Sequence, residues 1–170
     1  MRSHFEQGIY NSIKDFNRSN ASERIDPALI IGGGDLFQIF PFDGPKWDWS
    51  SRLLDIKEEV GTDHEVVAFI SEATRPIIES DEIRLLAERY YKETGTFENC
   101  PVPLQRIILM EFHTPDRLRQ FEICMEVDEL SGERILGEME IIRNVAWEKL
   151  NDDLGLLTGL IAGIFYGQGL

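Results

Sequence analysis

The segment RIILMEFHTPDRLRQFEICMEVDELSGERILGEMEI, residues 106–141, decides the fold class of this chain. Apolar and polar side chains alternate along it, most clearly over residues 119–128, where Phe121, Ile123 and Met125 share one side. The turn segments TPDR and ELSGER divide it into three. A period of two predicts β-strands, and short turns between them predict antiparallel pairing. We therefore predict a three-stranded antiparallel meander with one face toward the solvent.

Upstream, the runs ALIIGG (residues 28–33) and LFQIFPF (residues 36–42) flank a GGD turn and predict a β-hairpin. The run EVVAFISEA (residues 65–73) predicts a strand buried on both faces. Helical periodicity appears before the hairpin and on both sides of this strand, with Ser3, Ser80 and Gly95 as capping residues. The predicted order is α-β-β-α-β-α-β-β-β-α. We therefore predict one α+β domain, residues 1–170, with about six strands in one mainly antiparallel sheet and N-terminal, middle and C-terminal helices packed on it.

The last predicted helix, residues 144–167, is rich in glycine. Apolar residues recur along one side of it, and a second set of residues shares the opposite side: Gly155, Gly159, Gly163 and Gly167. Glycine is unfavourable in an exposed helix, so this side needs a packing partner. A membrane span is disfavoured, because the sixteen residues of 154–169 reach only about 24 Å. The glycines are expected to pack within the fold or at an oligomer interface.

Composition limits the function classes. The chain has 170 residues with 31 Asp and Glu against 17 Lys and Arg, a net charge of −14. Such a surface repels nucleic-acid phosphates and anionic membranes, so no direct nucleic-acid binding is expected. Two cysteines without a C-x-x-C pair, and an N-terminus without a signal peptide, predict a soluble cytoplasmic protein. The motifs of nucleotide-binding loops, nucleophile elbows and zinc proteases are absent from the sequence, and we expect no metal and no cofactor.

Three residues are candidates for catalysis: Glu72, Glu111 and His113. Glu72 follows a buried strand, a common place for a site residue, although pairing with Arg75 would also explain it. Glu111 and His113 share one strand face, and a carboxylate beside an imidazole can act as a base. The alternative is that His113 is an ordinary surface histidine at a strand end. One cleft that gathers all three residues would favour an enzyme or ligand-binding function.

Other residues are candidates for partner binding. Trp47 lies in a turn before a helix, where it is either an exposed anchor or a hydrophobic staple. The predicted outer face of the meander carries four glutamates beside Arg119 and Arg134: Glu122, Glu126, Glu138 and Glu140. They form either a solvated face with cross-strand ion pairs or an acidic patch for a basic partner.

The strand VVAFISEA and the later meander, together residues 28–142, resemble a set of small uncharacterised bacterial and phage proteins with a VVFVSEAW-like strand. The aromatic residue that follows SEA in that set is Thr74 here. The resemblance implies a strand followed by a short meander, and it implies no activity.

The sequence leaves three functional hypotheses open. The first is a protein that works by protein–protein contact or self-association, as a phage or bacterial accessory factor. The second is a small enzyme or ligand-binding domain. The third is an acidic mimic of nucleic acid, which requires carboxylates spaced along one face.

Overall fold

A computed structural model describes residues 2–20, 23–33, 36–42, 44–62, 64–150 and 156–167. Within these ranges the chain forms four α-helices and one six-stranded sheet, in the predicted order. The elements are α1 (His4–Ser19), β1 (Ala28–Gly33), β2 (Leu36–Pro41), α2 (Trp49–Val60), β3 (Val66–Pro76), α3 (Asp81–Thr94), β4 (Leu104–His113), β5 (Arg117–Val127), β6 (Arg134–Ala146) and α4 (Leu156–Tyr166). No helix among the described residues is long and apolar enough to cross a membrane.

The sheet has the strand order β2-β1-β3-β4-β5-β6, and all five neighbouring pairs are antiparallel. This confirms the predicted α+β fold, the hairpin and the meander. β3 lies in the middle, and its first five residues are all buried, as a strand covered on both faces requires. β2 and β6 form the two edges.

Helix α1 covers one face of the sheet, here named the α1 face. Its start has the predicted capping box, in which the Ser3 hydroxyl accepts from the Glu6 amide and the Glu6 carboxylate accepts from the Ser3 amide. Its buried residues pack on alternate residues of the strands. These are Ile9, Tyr10 and Ile13 against Ile30, Ala68, Ile70, Ile108, Met110, Phe112, Phe121, Ile123 and Met125.

Helices α2 and α4 cover part of the opposite face, here named the α4 face. Leu53 and Ile56 of α2 meet Ile161 and Phe165 of α4 over a shared set of strand residues. That set is Leu29, Ile31, Val67 and Phe69. Neighbouring residues in a strand point to opposite faces. Both faces of β1 and β3 are covered by helices, and this explains why their sequences are continuously apolar.

The predicted helix over residues 144–167 is wrong at its start. β6 continues to Ala146, a short 3₁₀ turn follows at Trp147–Lys149, and the helix begins at Leu156. The backbone pairs across from β5 as far as Arg117, opposite Ala146, so ladder hydrogen bonds hold this stretch extended. The helical spacing of its apolar residues does not override that pairing.

The glycines of the last helix have different environments. Gly155 lies outside the described residues. Gly159 and Gly163 lie inside α4 and are half-buried, while the buried stripe of the helix is formed by other residues: Thr158, Ile161, Ala162 and Phe165. Gly167 is not a packing residue, because its φ is +64° and its amide donates to the carbonyl of Gly163. It ends the helix in a conformation that glycine adopts without strain.

Candidate functional site

Glu111 and His113 form a buried pair on the α4 face. Nε2 of His113 lies 3.1 Å from Oε2 of Glu111, and a carboxylate only accepts, so Nε2 carries the proton in this pair. The Thr158 hydroxyl of α4 lies 2.6 and 2.8 Å from the two carboxylate oxygens, and Nε2 of Gln120 donates to Oε1 at 3.0 Å. Three side chains from β4, β5 and α4 therefore hold one carboxylate.

The surroundings of His113 exclude solvent. Its side chain is 0% exposed, and its ring stacks on Trp147 at 5.6 Å between centroids. The Tyr166 hydroxyl donates to the His113 carbonyl at 2.8 Å, and burial raises the pKa of that hydroxyl. Among the described residues, Nδ1 of His113 has no hydrogen-bond partner. The expectation of a surface histidine at a strand end is therefore wrong, because α4 and Trp147 cover this strand end.

The ionisation of Glu111 follows from these contacts. Burial by itself raises the pKa of the carboxyl, but the hydrogen bond and charge of His113 and the hydrogen bonds from Thr158 and Gln120 outweigh it. The net result is a pKa below the ordinary value of 4.5. Glu111 is therefore a carboxylate at neutral pH, and its chemistry here is to anchor α4 on the sheet.

The Glu111 pair predicts a pH dependence of stability. A carboxyl whose pKa is depressed by folding stabilises the native state fully above its unfolded pKa, and this contribution is lost as the pH falls through the folded pKa. Glu111→Gln is expected to reduce the free energy of unfolding by about 1–3 kcal/mol at pH 7. The gap between variant and wild type is expected to shrink below pH 4.5. Urea unfolding over a pH series measures it.

The matched control for this prediction is Glu59→Gln, which removes an exposed carboxylate from α2. The difference in the free energy of unfolding between this variant and wild type is expected to stay near zero at every pH. A Glu111→Gln gap that stays constant through the acid range would contradict the ion-pair explanation.

Glu72 lies on the other side of the sheet. Its side chain is 1% exposed and has three arginine partners from different parts of the chain. Nε of Arg24 and Nη2 of Arg106 each lie 3.2 Å from Oε2, and Arg134 makes an ion pair with Oε1. The amide of Ile25 also donates to Oε1 at 2.9 Å. Glu72 is therefore the buried centre of an ion cluster, here named the Glu72 cluster, in which Arg134 is also buried and Arg24 and Arg106 are partly exposed.

The predicted partner of Glu72 is wrong. Arg75 is three residues further along an extended strand, so it points to the α4 face and pairs with Glu122 at 2.5 Å. Glu72 itself points to the α1 face, so it does not meet Glu111 and His113, which lie on the α4 face with Thr158. The three residues therefore do not share a cleft, and the observation that would have favoured an enzyme is not made for them.

The four glutamates of the meander do not form one row. Glu122 is buried and paired with Arg75, and Glu140 stands directly opposite it on β6. Glu126, Glu138 and Glu140 are all exposed, and Glu138 also lies beside the Tyr10 hydroxyl of α1. Arg119 and Arg134 are not on the predicted outer face either. They point to the α1 face, where they pair with Glu6 and Glu72.

The β2 edge exposes two large apolar side chains and no charged residue among the described residues 37–41. Phe37 and Ile39 of β2 are 59% and 57% exposed on the α1 face. Trp47, which is 82% exposed, precedes α2, and the α2 residue Arg52 donates to the Pro41 carbonyl at the end of β2. Trp47 therefore is an exposed aromatic near this edge and not a staple buried under the helix.

The residues that sequence reasoning missed are Arg24, Arg106 and Thr158, and for Arg134 it missed the pairing with Glu72. A signal for one of these contacts, that between Glu72 and Arg106, was present. Glu72 is in phase with Ala68 and Ile70, and Arg106 is in phase with Ile108 and Met110. Opposite charges at positions where the alternation predicts buried apolar residues indicate a buried ion pair. No comparable signal marks Arg24, which lies in a loop.

Comparisons with known protein families, curated proteins and solved structures find no significant match to this chain. Among the described residues, no group of three or more His, Cys, Asp or Glu side chains has a metal-binding arrangement. The surfaces described above are therefore the basis for proposing a function.

Proposed function

We propose that this protein works by protein–protein contact and that it self-associates by pairing β2 with β2 of a second copy. The observation that carries the proposal is the open, charge-free, apolar edge formed by β2. An edge strand presents unpaired backbone N–H and C=O groups, which form a template for another strand.

The contrast between the two edges supports β2 as the interface. β6 also exposes Ile135, Ile141 and Ile142, but charged residues stand among them, and its register with β5 shifts at two places. Charges and bulges on an edge strand prevent pairing with other chains. The residues Phe37, Gln38, Ile39 and Phe40 of β2 carry no charge. Only one of the two edges is therefore suited to strand addition.

A second copy is the partner that fits this edge. A two-fold axis between antiparallel β2 strands places Phe37 and Ile39 of both copies on the same face, where they form one apolar cluster. A basic partner would gain little at a strand without charges. The contact is small for a stable dimer, so we expect a dissociation constant on the order of micromolar.

Two charge-matched variants test the dimer. Ile39→Lys places a charge in the proposed contact and is expected to yield a monomer, whereas Ile135→Lys on β6, 62% exposed in the wild type, is expected to leave the dimer intact. Sedimentation equilibrium over a concentration series measures the mass. Added salt is expected to strengthen the wild-type dimer, because each copy carries a charge of −14.

The proposal fails under two results. A wild-type protein that remains monomeric throughout the micromolar range would exclude β2 self-pairing. A dimer that persists in Ile39→Lys and dissociates in Ile135→Lys would place the interface at the β6 edge. Circular dichroism of both variants shows whether each retains the wild-type fold.

A further inference from the structure

A groove lies on the α1 face toward the β6 edge of the sheet, which is the edge opposite β2. It is an open depression of about 690 Å³ between the start of α1 and strands β5 and β6. Its apolar lining is Phe121, Met139 and Ile141, and Ile141 offers most of the accessible apolar surface, because Phe121 and Met139 are buried. A volume of this size is within the range of small-molecule sites. The groove is independent of the proposed dimer contact.

The rim of the groove is cationic in a protein that is otherwise strongly acidic. Arg2 and Arg119 supply its positive charges. Arg119 pairs with Glu6, because its Nε lies 3.2 Å from the Glu6 carboxylate, and its guanidinium lies over the Phe121 ring. The charges of Arg119 and Glu6 therefore offset each other on this side of the groove.

Arg2 differs from Arg119 in its partners. Its Nη1 donates to Oε1 of Gln7 at 2.9 Å, and its Nη2 donates to the Met139 carbonyl at 3.0 Å. Both acceptors are neutral, and no carboxylate of the described residues lies within ion-pair distance of Arg2. These two hydrogen bonds, and the Tyr10 ring with its centroid 5.1 Å from the guanidinium carbon, hold the guanidinium in place. Other N–H donors of Arg2 stay available to a ligand, and its charge has no carboxylate partner among the described residues.

We propose that this groove binds a small carboxylate with an apolar chain, whose carboxylate pairs with Arg2 and whose chain lies on Phe121, Met139 and Ile141. The amides of the first helical turn do not carry the site, because the Ser3 and Glu6 side chains already cap that turn. A cation fixed beside an apolar floor selects a molecule with both properties over one that has only the charge or only the chain.

The test titrates the whole chain with three probes by calorimetry and by amide chemical shifts. Octanoate has both properties, octan-1-ol lacks the charge, and acetate lacks the chain. Octanoate is expected to bind at least ten-fold more tightly than either, and to shift amides of residues 2–7, 119–121 and 139–141. Arg2→Met keeps the length of the side chain and is expected to weaken octanoate binding at least ten-fold.

Arg18→Met is the matched control, because Arg18 is an exposed arginine in the last turn of α1, far from the groove, and its ion pair is with Asp15. It is expected to leave octanoate binding unchanged. Equal binding of octan-1-ol and octanoate, equal loss in both arginine variants, or shifts confined to other surfaces would each overturn the proposal.

Discussion

Glu72→Gln is expected to lower the free energy of unfolding by about 3–5 kcal/mol, the cost of leaving a buried charge without its partner. Arg134 is the reason for the size of the effect. Its side chain is 5% exposed and pairs with Glu72, so the substitution leaves a guanidinium buried without a counter-charge. Burial and the nearby charge of Arg24 already lower the pKa of Arg134. Urea unfolding at neutral pH measures the loss.

The control for this prediction is Glu98→Gln. Glu98 pairs with Arg24 alone, and its side chain is 53% exposed. An exposed ion pair contributes less than about 1 kcal/mol, so the variant is expected to unfold close to wild type. If Glu72→Gln were no more destabilising than Glu98→Gln, the Glu72 cluster would not be a stabilising core element.

Ile161→Ala is expected to lower the free energy of unfolding by about 2–5 kcal/mol. Ile161 is fully buried between α2 and the sheet, so truncation leaves a cavity in addition to the lost burial. The prediction decides whether α4 is part of the core of one chain. Denaturant unfolding at low and high protein concentration measures it, and the loss is expected to be the same at both.

Leu156→Ala is the companion variant, because Leu156 is on the same helix and 57% exposed. It is expected to change stability by less than about 0.5 kcal/mol. A loss for Ile161→Ala that appeared only at high protein concentration would mean that α4 packs against a neighbouring copy.

The local sequence pattern was sufficient to predict the order of the helices and strands. Alternation over residues 106–141 predicted the meander, and Ser3, Ser80 and Gly95 predicted helix ends that the structure has. These features depend on residues close in sequence, whose preferences act before any tertiary contact forms.

The site was predicted less well, because it depends on which helix covers which part of a face. The sharing of a face by Glu111 and His113 followed from their spacing, but their burial follows from α4, 43 or more residues later. The prediction of where β6 ends was wrong for a related reason. Residues 144–146 have helical spacing, yet they pair with residues 117–119 of β5. Non-local pairing overrides local periodicity there.

The Glu72 cluster has a consequence for the kinetics of unfolding. Its arginines come from positions 24, 106 and 134, so it completes only after a loop, β4 and β6 have all assembled around β3. Contacts between such distant residues are costly to form early, since loop-closure entropy opposes them. We expect the cluster to be incomplete in the folding transition state. Its main effect is then to slow the escape from the native state, so that Glu72 controls the lifetime of the fold more than the speed of its formation.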